Sequence, residues 1–163
     1  MLPKLADWKS WRSYVPSEID GVGMLIGIRD GKPVGNLLKV GKSEYLETGL
    51  HPSEGHYSWV YTTGCAIIYK WNSRQEIDEG NYTRHSQLGS GQKVICAGEF
   101  YLKTTRLPDK VWVDKIFIEI NNSSGHYKPD VTCLKPVVDK FKSLGFSIDD
   151  SKDLFVRKEQ FPN

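Results

Sequence analysis

The chain has 163 residues and a mass of 18.5 kDa, a length that suits one domain with its own core and about two thirds of its unfolded surface buried. Its formal net charge of +2, from 22 basic and 20 acidic residues, excludes a protein-wide field that would attract a phosphate backbone. Aromatic residues make up 12% of the sequence, which favours a sheet-rich core or a stacking surface.

The cysteines and the hydropathy pattern predict the compartment. Cys65, Cys96 and Cys133 are odd in number, far apart and flanked by small or apolar residues. This pattern predicts buried free thiols in a reducing compartment, with neither a disulfide framework nor a metal site, because a zinc site would use C-x-x-C pairs. The chain has no apolar run near 18 residues and no signal-peptide pattern after Met1. We therefore predict a soluble, cytoplasmic protein that does not contact a membrane.

The first 57 residues predict a helix, a hairpin and a loop. Trp8 and Trp11 place an aromatic stripe on a short amphipathic helix over Leu5–Tyr14. Strands are predicted over Gly21–Ile28 and over 34–40, joined by an Asp-Gly hairpin turn. Glycine, proline and serine in 41–57 predict a surface connection with one helical turn, in which the histidines at positions 51 and 56 are solvated.

The remainder, 58–163, is predicted to hold most of the sheet and a C-terminal helix. The strongest β signal is Ser58–Tyr69, which is rich in β-branched and aromatic residues. The segment 70–80 is polar and is predicted to be flexible. Further strands are predicted over 93–102, 111–120 and 154–157, with Pro108 and Asp109 in a hairpin connection.

An amphipathic helix is predicted over Val131–Leu144. Asp130 is placed to cap it and Gly145 to end it, whereas Pro136 fits only if the helix begins late, near Leu134. The inward stripe is predicted at Leu134, Val137, Val138, Phe141 and Leu144. Because the connections between strands are too short for parallel crossovers, the sequence predicts a single α+β domain over 1–163 with a mostly antiparallel sheet.

The stretch from Tyr82 to Pro129 carries the candidate site. It contains Y-T-R-H-S-Q-L, A-G-E-F and N-N-S-S-G-H-Y-K-P, so that His85 precedes a serine and His126 precedes Tyr127. A turn made of Asn, Ser and Gly closes without a histidine or a tyrosine. The two residues at positions 126 and 127 therefore indicate either a functional site or a cover over backbone groups at a sheet edge.

These motifs resemble a domain found in plant IQ-motif calmodulin-binding proteins and in bacterial effector-like and toxin-like proteins. The resemblance is best over Trp59–Phe146, where the family pattern runs as H-S-S-F/L, then A-A-G, a hairpin, and S-G-H-Y-R-P. Gln87 stands at the second serine, and the position of Glu99 can hold arginine in the plant members. The IQ motif itself is not in this chain, so calmodulin is not an expected partner.

The candidate residues suit three functions. The predicted catalytic residues are His85, Glu99, His126 and Tyr127, and the predicted ligand-binding residues are Arg84, Ser86, Ser124, Gly125 and Lys128. One function is transfer or hydrolysis at the N-glycosidic bond of NAD, as in ADP-ribosyltransferase-like effectors, with NAD as a substrate and no fixed cofactor. Another is metal-independent RNA cleavage, with the two histidines as acid and base. The third is a module that binds a nucleotide or a protein target without turnover.

A serine triad is the weaker expectation. His85 is predicted to lie on a strand, where its neighbour Ser86 would point to the opposite face.

Overall fold

A computed structural model of the chain describes residues 22–29, 32–39, 42–47, 55–80, 85–90, 92–106, 113–124, 129, 132–149 and 154–155. These residues form eight strands: β1 (Gly23–Arg29), β2 (Lys32–Lys39), β3 (Lys42–Glu47), β4 (Gly55–Thr62), β5 (Ile67–Ser73), β6 (Val94–Arg106), β7 (Val113–Asn121) and β8 (Leu154–Phe155). Three helices accompany them: α1 (Arg74–Asp78), α2 (His85–Leu88) and α3 (Leu134–Ser143).

All eight strands belong to one sheet, in the order β3-β2-β1-β5-β4-β6-β7-β8. Every neighbouring pair is antiparallel except β7 and β8, which are parallel. The predicted mostly antiparallel sheet is therefore confirmed, and its helices are compatible with the predicted α+β class. The N-terminal helix predicted over Leu5–Tyr14 lies outside the described residues.

The strong β signal over Ser58–Tyr69 corresponds to two strands joined by a turn. β4 ends at Thr62, whose carbonyl accepts a hydrogen bond from the backbone N–H of Cys65 at 2.9 Å, and β5 begins at Ile67. Cys65 has a positive φ of 63°, as the turn requires. The sequence did not reveal the turn because the β-branched and aromatic residues on both sides of it have high β propensity.

The segments predicted as a surface connection and as a flexible stretch contain strands and a helix. β3 lies within the predicted surface connection 41–57 and pairs with β2, and β4 begins inside the same connection at Gly55. α1 lies within the segment 70–80 that was predicted to be flexible. It begins with a capping box, since Ser73 Oγ accepts from the N–H of Glu76 at 3.0 Å and Glu76 Oε1 accepts from the N–H of Ser73 at 3.2 Å.

The C-terminal helix begins later than the predicted start at Val131. α3 starts at Leu134 with Cys133 at the N-cap position, so Pro136 falls in the first turn, where a missing N–H is tolerated. The predicted cap, Asp130, lies outside the described residues. Gly145 ends the helix with a φ of 100°. The predicted inward stripe is confirmed at four buried positions, Leu134, Val137, Val138 and Phe141.

Side chains alternate between two faces of the sheet, and the larger core lies on the face that packs against α3. Phe141 of the helix meets Phe100 edge to face at 5.3 Å between ring centroids and Trp59 at 6.3 Å. Phe100 also stacks on Tyr57 at 4.5 Å. A smaller cluster on the other face joins Leu88 of α2 to the sheet, and it contains Val60, Ile68, Leu88, Val94 and Ala97.

The cysteine prediction was wrong. Cys96 of β6 and Cys133 at the start of α3 form a disulfide, and both are fully buried. The third, Cys65, is free and exposed. The sequence did not reveal the pair because the two cysteines are 37 residues apart and meet only when α3 packs on the sheet. Free thiols were the reason for predicting a reducing compartment, and two of the three cysteines are not free. The cytoplasmic location stays a prediction.

Among the described residues, no helix is long and apolar enough to cross a membrane. No group of three or more His, Cys, Asp or Glu side chains in the same part of the chain is placed to hold a metal ion.

Candidate functional site

A cluster of titratable side chains lies where β4 and β6 run side by side. In the register of this pair Ser58 is opposite Glu99, so the alternation of side chains puts His56, Glu99 and Tyr101 on one face. His56 Nε2 lies 3.7 Å from Glu99 Oε1. The hydroxyl of Tyr101 donates to Glu99 Oε2 at 3.3 Å, and the rings of Tyr101 and His56 are 5.7 Å apart. We call these three residues the carboxylate cluster.

The members of the carboxylate cluster differ in exposure. His56 is buried, whereas the Glu99 side chain keeps 23% of its surface exposed. Tyr101 is half-buried. A molecule from solvent can therefore reach Glu99 and Tyr101, while the histidine supports the carboxylate from inside.

His56 is held in its neutral form at neutral pH. Burial lowers the pKa of His56 below its ordinary value of 6.5, and the negative charge of Glu99 raises this pKa by a smaller amount. Although 3.7 Å is within ion-pair range, the imidazole is not charged at pH 7, so the contact there is between a carboxylate and a neutral ring. Burial has the larger effect because His56 has little contact with water.

Tyr101 keeps its proton over the whole physiological range. The pKa of Tyr101 is raised to about 12, chiefly by burial and also by the charge and hydrogen bond of Glu99 and the charge of Glu119, while the charge of Arg74 acts in the opposite direction. Arg74 lies at the start of α1, where its Nε is 3.2 Å from Asp78 Oδ1. The phenol is therefore a permanent donor to the carboxylate.

A buried hydrogen bond lies beside the carboxylate cluster. Asn72 of β5 is opposite His56 in the sheet, and its Nδ2 donates to Ser58 Oγ at 2.8 Å. Asn72 and Ser58 are both buried. This bond joins β5 to β4 and fixes two polar side chains next to the histidine.

His85 is placed differently from the prediction. It lies in α2 and not on a strand, and its Nε2 lies 2.7 Å from the backbone carbonyl oxygen of Gly98. Because a carbonyl only accepts, Nε2 carries the proton. The contact brings a buried His85 to the residue immediately before Glu99, and Ser86 follows it within α2.

The polar turn after β7 is attached to β6 at the same point. Asn121 Oδ1 accepts from the backbone N–H of Glu99 at 3.0 Å and from the backbone N–H of Ser123 at 2.9 Å. Ser124, a predicted ligand-binding residue, is buried. The other predicted site residues of this motif lie outside the described residues, as does the predicted arginine before α2; they are Gly125, His126, Tyr127, Lys128 and Arg84.

Two of the predicted catalytic residues, His85 and Glu99, are thus close in the structure, because His85 contacts the backbone of Gly98, the residue before Glu99. Sequence reasoning missed His56 and Tyr101. His56 was assigned to a solvated loop, yet H-Y-S-W-V-Y alternates as a strand whose second face carries His56 and Ser58. In E-F-Y at 99–101 the two polar residues are likewise separated by one apolar residue. This alternation was the signal that could have placed Glu99 and Tyr101 on one face.

Comparison with protein families, with curated proteins and with solved structures finds no match. The resemblance of the motifs to the plant and bacterial domain therefore rests on the quoted residues alone.

Proposed function

We propose that the protein is a small enzyme that acts on a nucleotide substrate, with Glu99 as its catalytic carboxylate. One observation carries the proposal: a partly exposed carboxylate lies between a buried neutral histidine and a tyrosine hydroxyl. Perturbed titratable groups in one cluster are typical of sites that do chemistry.

The first reaction that suits the carboxylate cluster is cleavage or transfer at the N-glycosidic bond of NAD. Such a bond breaks through a state with positive charge on the ribose ring, and a fixed carboxylate stabilises that charge. Glu99 would also take the proton of the attacking water or hydroxyl group. In this proposal His56 and Tyr101 hold the carboxylate in place, and the resemblance to effector-like and toxin-like proteins agrees with such a reaction.

RNA cleavage without a metal is the second candidate, and the contact between Glu99 and the protonated hydroxyl of Tyr101 favours it. Cleavage at a phosphodiester uses one group to remove a proton from the 2′-hydroxyl and another to protonate the leaving oxygen. Glu99 would remove the proton from the 2′-hydroxyl, and the hydroxyl of Tyr101, which keeps its proton at neutral pH, would protonate the leaving oxygen. The charge of Arg74, which acts on Tyr101, would stabilise the phosphate.

The test is an incubation of the purified protein with NAD, other nucleotides and short RNA, followed by mass spectrometry. We expect breakdown of one substrate class and a fall of roughly 100-fold or more in kcat for Glu99→Gln, as for loss of a group that transfers protons. Glu79→Gln removes an exposed carboxylate at the C-terminal end of α1 and is the matched control. A bound but unchanged nucleotide would replace the enzyme with a binding module, and full activity in Glu99→Gln would contradict the role of Glu99.

A further inference from the structure

Asn121 connects the two motif stretches of the chain through one oxygen atom. Its Oδ1 accepts two backbone N–H groups, that of Glu99 at 3.0 Å and that of Ser123 at 2.9 Å. The first belongs to β6 and the second to the turn that follows β7. One side-chain carbonyl thereby fixes the backbone of Glu99 and the first residues of the N-N-S-S turn relative to each other.

The backbone of Asn121 is equally constrained. A β-carbon on Gly98 would overlap the carbonyl oxygen of Asn121 and would lie 2.8 Å from its carbonyl carbon. The glycine therefore lets the end of β7 lie directly over β6, one residue before Glu99. With its backbone seated on Gly98 and its side chain bonded to Glu99, Asn121 has little freedom to move away from the carboxylate cluster.

We propose that Asn121 is a positioning residue for Glu99. It holds the backbone of Glu99 so that the carboxylate meets both His56 and Tyr101, and it sets where the Asn122–Ser124 turn leaves the sheet. The role of Asn121 in turnover rests on the proposed function of Glu99, but the geometric part of the inference does not. An error of about 1 Å in the position of a catalytic group can lower a rate by roughly 100-fold, so such a residue affects kcat without touching substrate.

The first experiment needs no turnover: it measures the pKa of His56 by NMR titration of its ring protons. The variant His56→Gln identifies which signals belong to that ring. The charge of Glu99 raises the pKa of His56, so Glu99→Gln should lower that pKa and gives the full size of the effect. Asn121→Leu removes the acceptor at nearly constant volume. If Asn121 positions Glu99, Asn121→Leu lowers the pKa of His56 in the same direction, while a folded Asn121→Leu protein with an unchanged His56 pKa overturns the inference.

Asn121→Asp tests the same contacts in a variant that keeps the shape and the acceptor, and it serves if Asn121→Leu does not fold. Its new carboxylate should accept from both N–H groups, so the amide signals of Glu99 and Ser123 should shift together as that carboxyl group titrates. If neither signal follows the titration, the inference is wrong.

If the wild-type protein turns over a substrate, kinetic measurements distinguish the positioning role of Asn121 from the proposed catalytic function of Glu99. Asn121→Leu should lower kcat by roughly 10-fold to 100-fold with KM within about twofold, and Asn121→Asp should recover part of the loss. Normal kcat in Asn121→Leu overturns the positioning role. If the substrate panel gives no product at all, the proposed function fails, whereas the titrations still decide whether Asn121 holds Glu99.

Discussion

The backbone carbonyl of Asn121 lies over the α-carbon of Gly98, in the space that a β-carbon would fill. This contact joins A-G-E-F to N-N-S-S-G, two stretches that are 23 residues apart in the sequence. It explains why a glycine stands between Ala97 and Glu99 in the middle of a long strand, where glycine is otherwise unfavourable.

Gly98→Ala should destabilise the protein by about 2 kcal/mol or more, because the new methyl group meets backbone atoms that cannot move aside like a flexible side chain. Urea unfolding of the two proteins measures the difference. Gly64→Ala is the matched control, since the nearest atom to its added β-carbon is Thr62 Oγ1 at 3.8 Å. Equal losses in both variants would contradict the close approach of β7 to β6.

His56 should make the stability of the protein depend on pH. Its pKa is lowered in the folded state by burial, so between that value and 6.5 the unfolded chain binds more protons than the folded one. Stability therefore rises with pH through this interval and falls as the solution is acidified below pH 6.5. We expect the melting temperature of His56→Gln to fall less than that of the wild type between pH 7.5 and pH 5. Parallel curves would show that His56 is not buried in its neutral form.

The periodic parts of the fold could be predicted from the sequence. The alternation in β6 and β7 and the 3,4 spacing of Leu134, Val137, Val138 and Phe141 identified strands and a helix, because burial of one face imposes those periods directly. The turn at Cys65 was missed since its neighbours have high β propensity. The capping box at Ser73 and Glu76 was present in the sequence and was overlooked.

The site could be predicted only in part. Glu99 was identified from a motif, whereas the identity of its partners depends on which strands become neighbours. His56 is 43 residues before Glu99 in the sequence, and only the pairing of β4 with β6 makes them contact. The same reasoning applies to His85, whose partner is a backbone carbonyl that no sequence motif marks.

His85 should contribute to stability through its hydrogen bond to Gly98. His85→Leu replaces the imidazole with an apolar side chain and removes the donor from a buried carbonyl, and we expect a loss of about 2 kcal/mol. His85→Gln offers an amide donor and should lose less. Chemical unfolding of the two variants checks this order. A His85→Leu protein that is as stable as the wild type but inactive would instead support the catalytic role predicted from the sequence.

The disulfide between Cys96 and Cys133 should stabilise the fold by about 4 kcal/mol, the chain-entropy value for a closed loop of 37 residues. Its loop begins on β6 just before Gly98, includes the N-N-S-S-G-H-Y-K-P segment and ends at the first turn of α3. Loss of the bond therefore frees the motif at one end, while Asn121 still holds the other.

We expect Cys96→Ala/Cys133→Ala to lower the urea midpoint strongly, and Cys65→Ser, which changes the exposed free thiol, to leave it unchanged. If the wild-type midpoint is the same with and without a reductant that has been shown to reduce all the cysteines, the bond does not stabilise the protein, and packing of α3 alone holds that end.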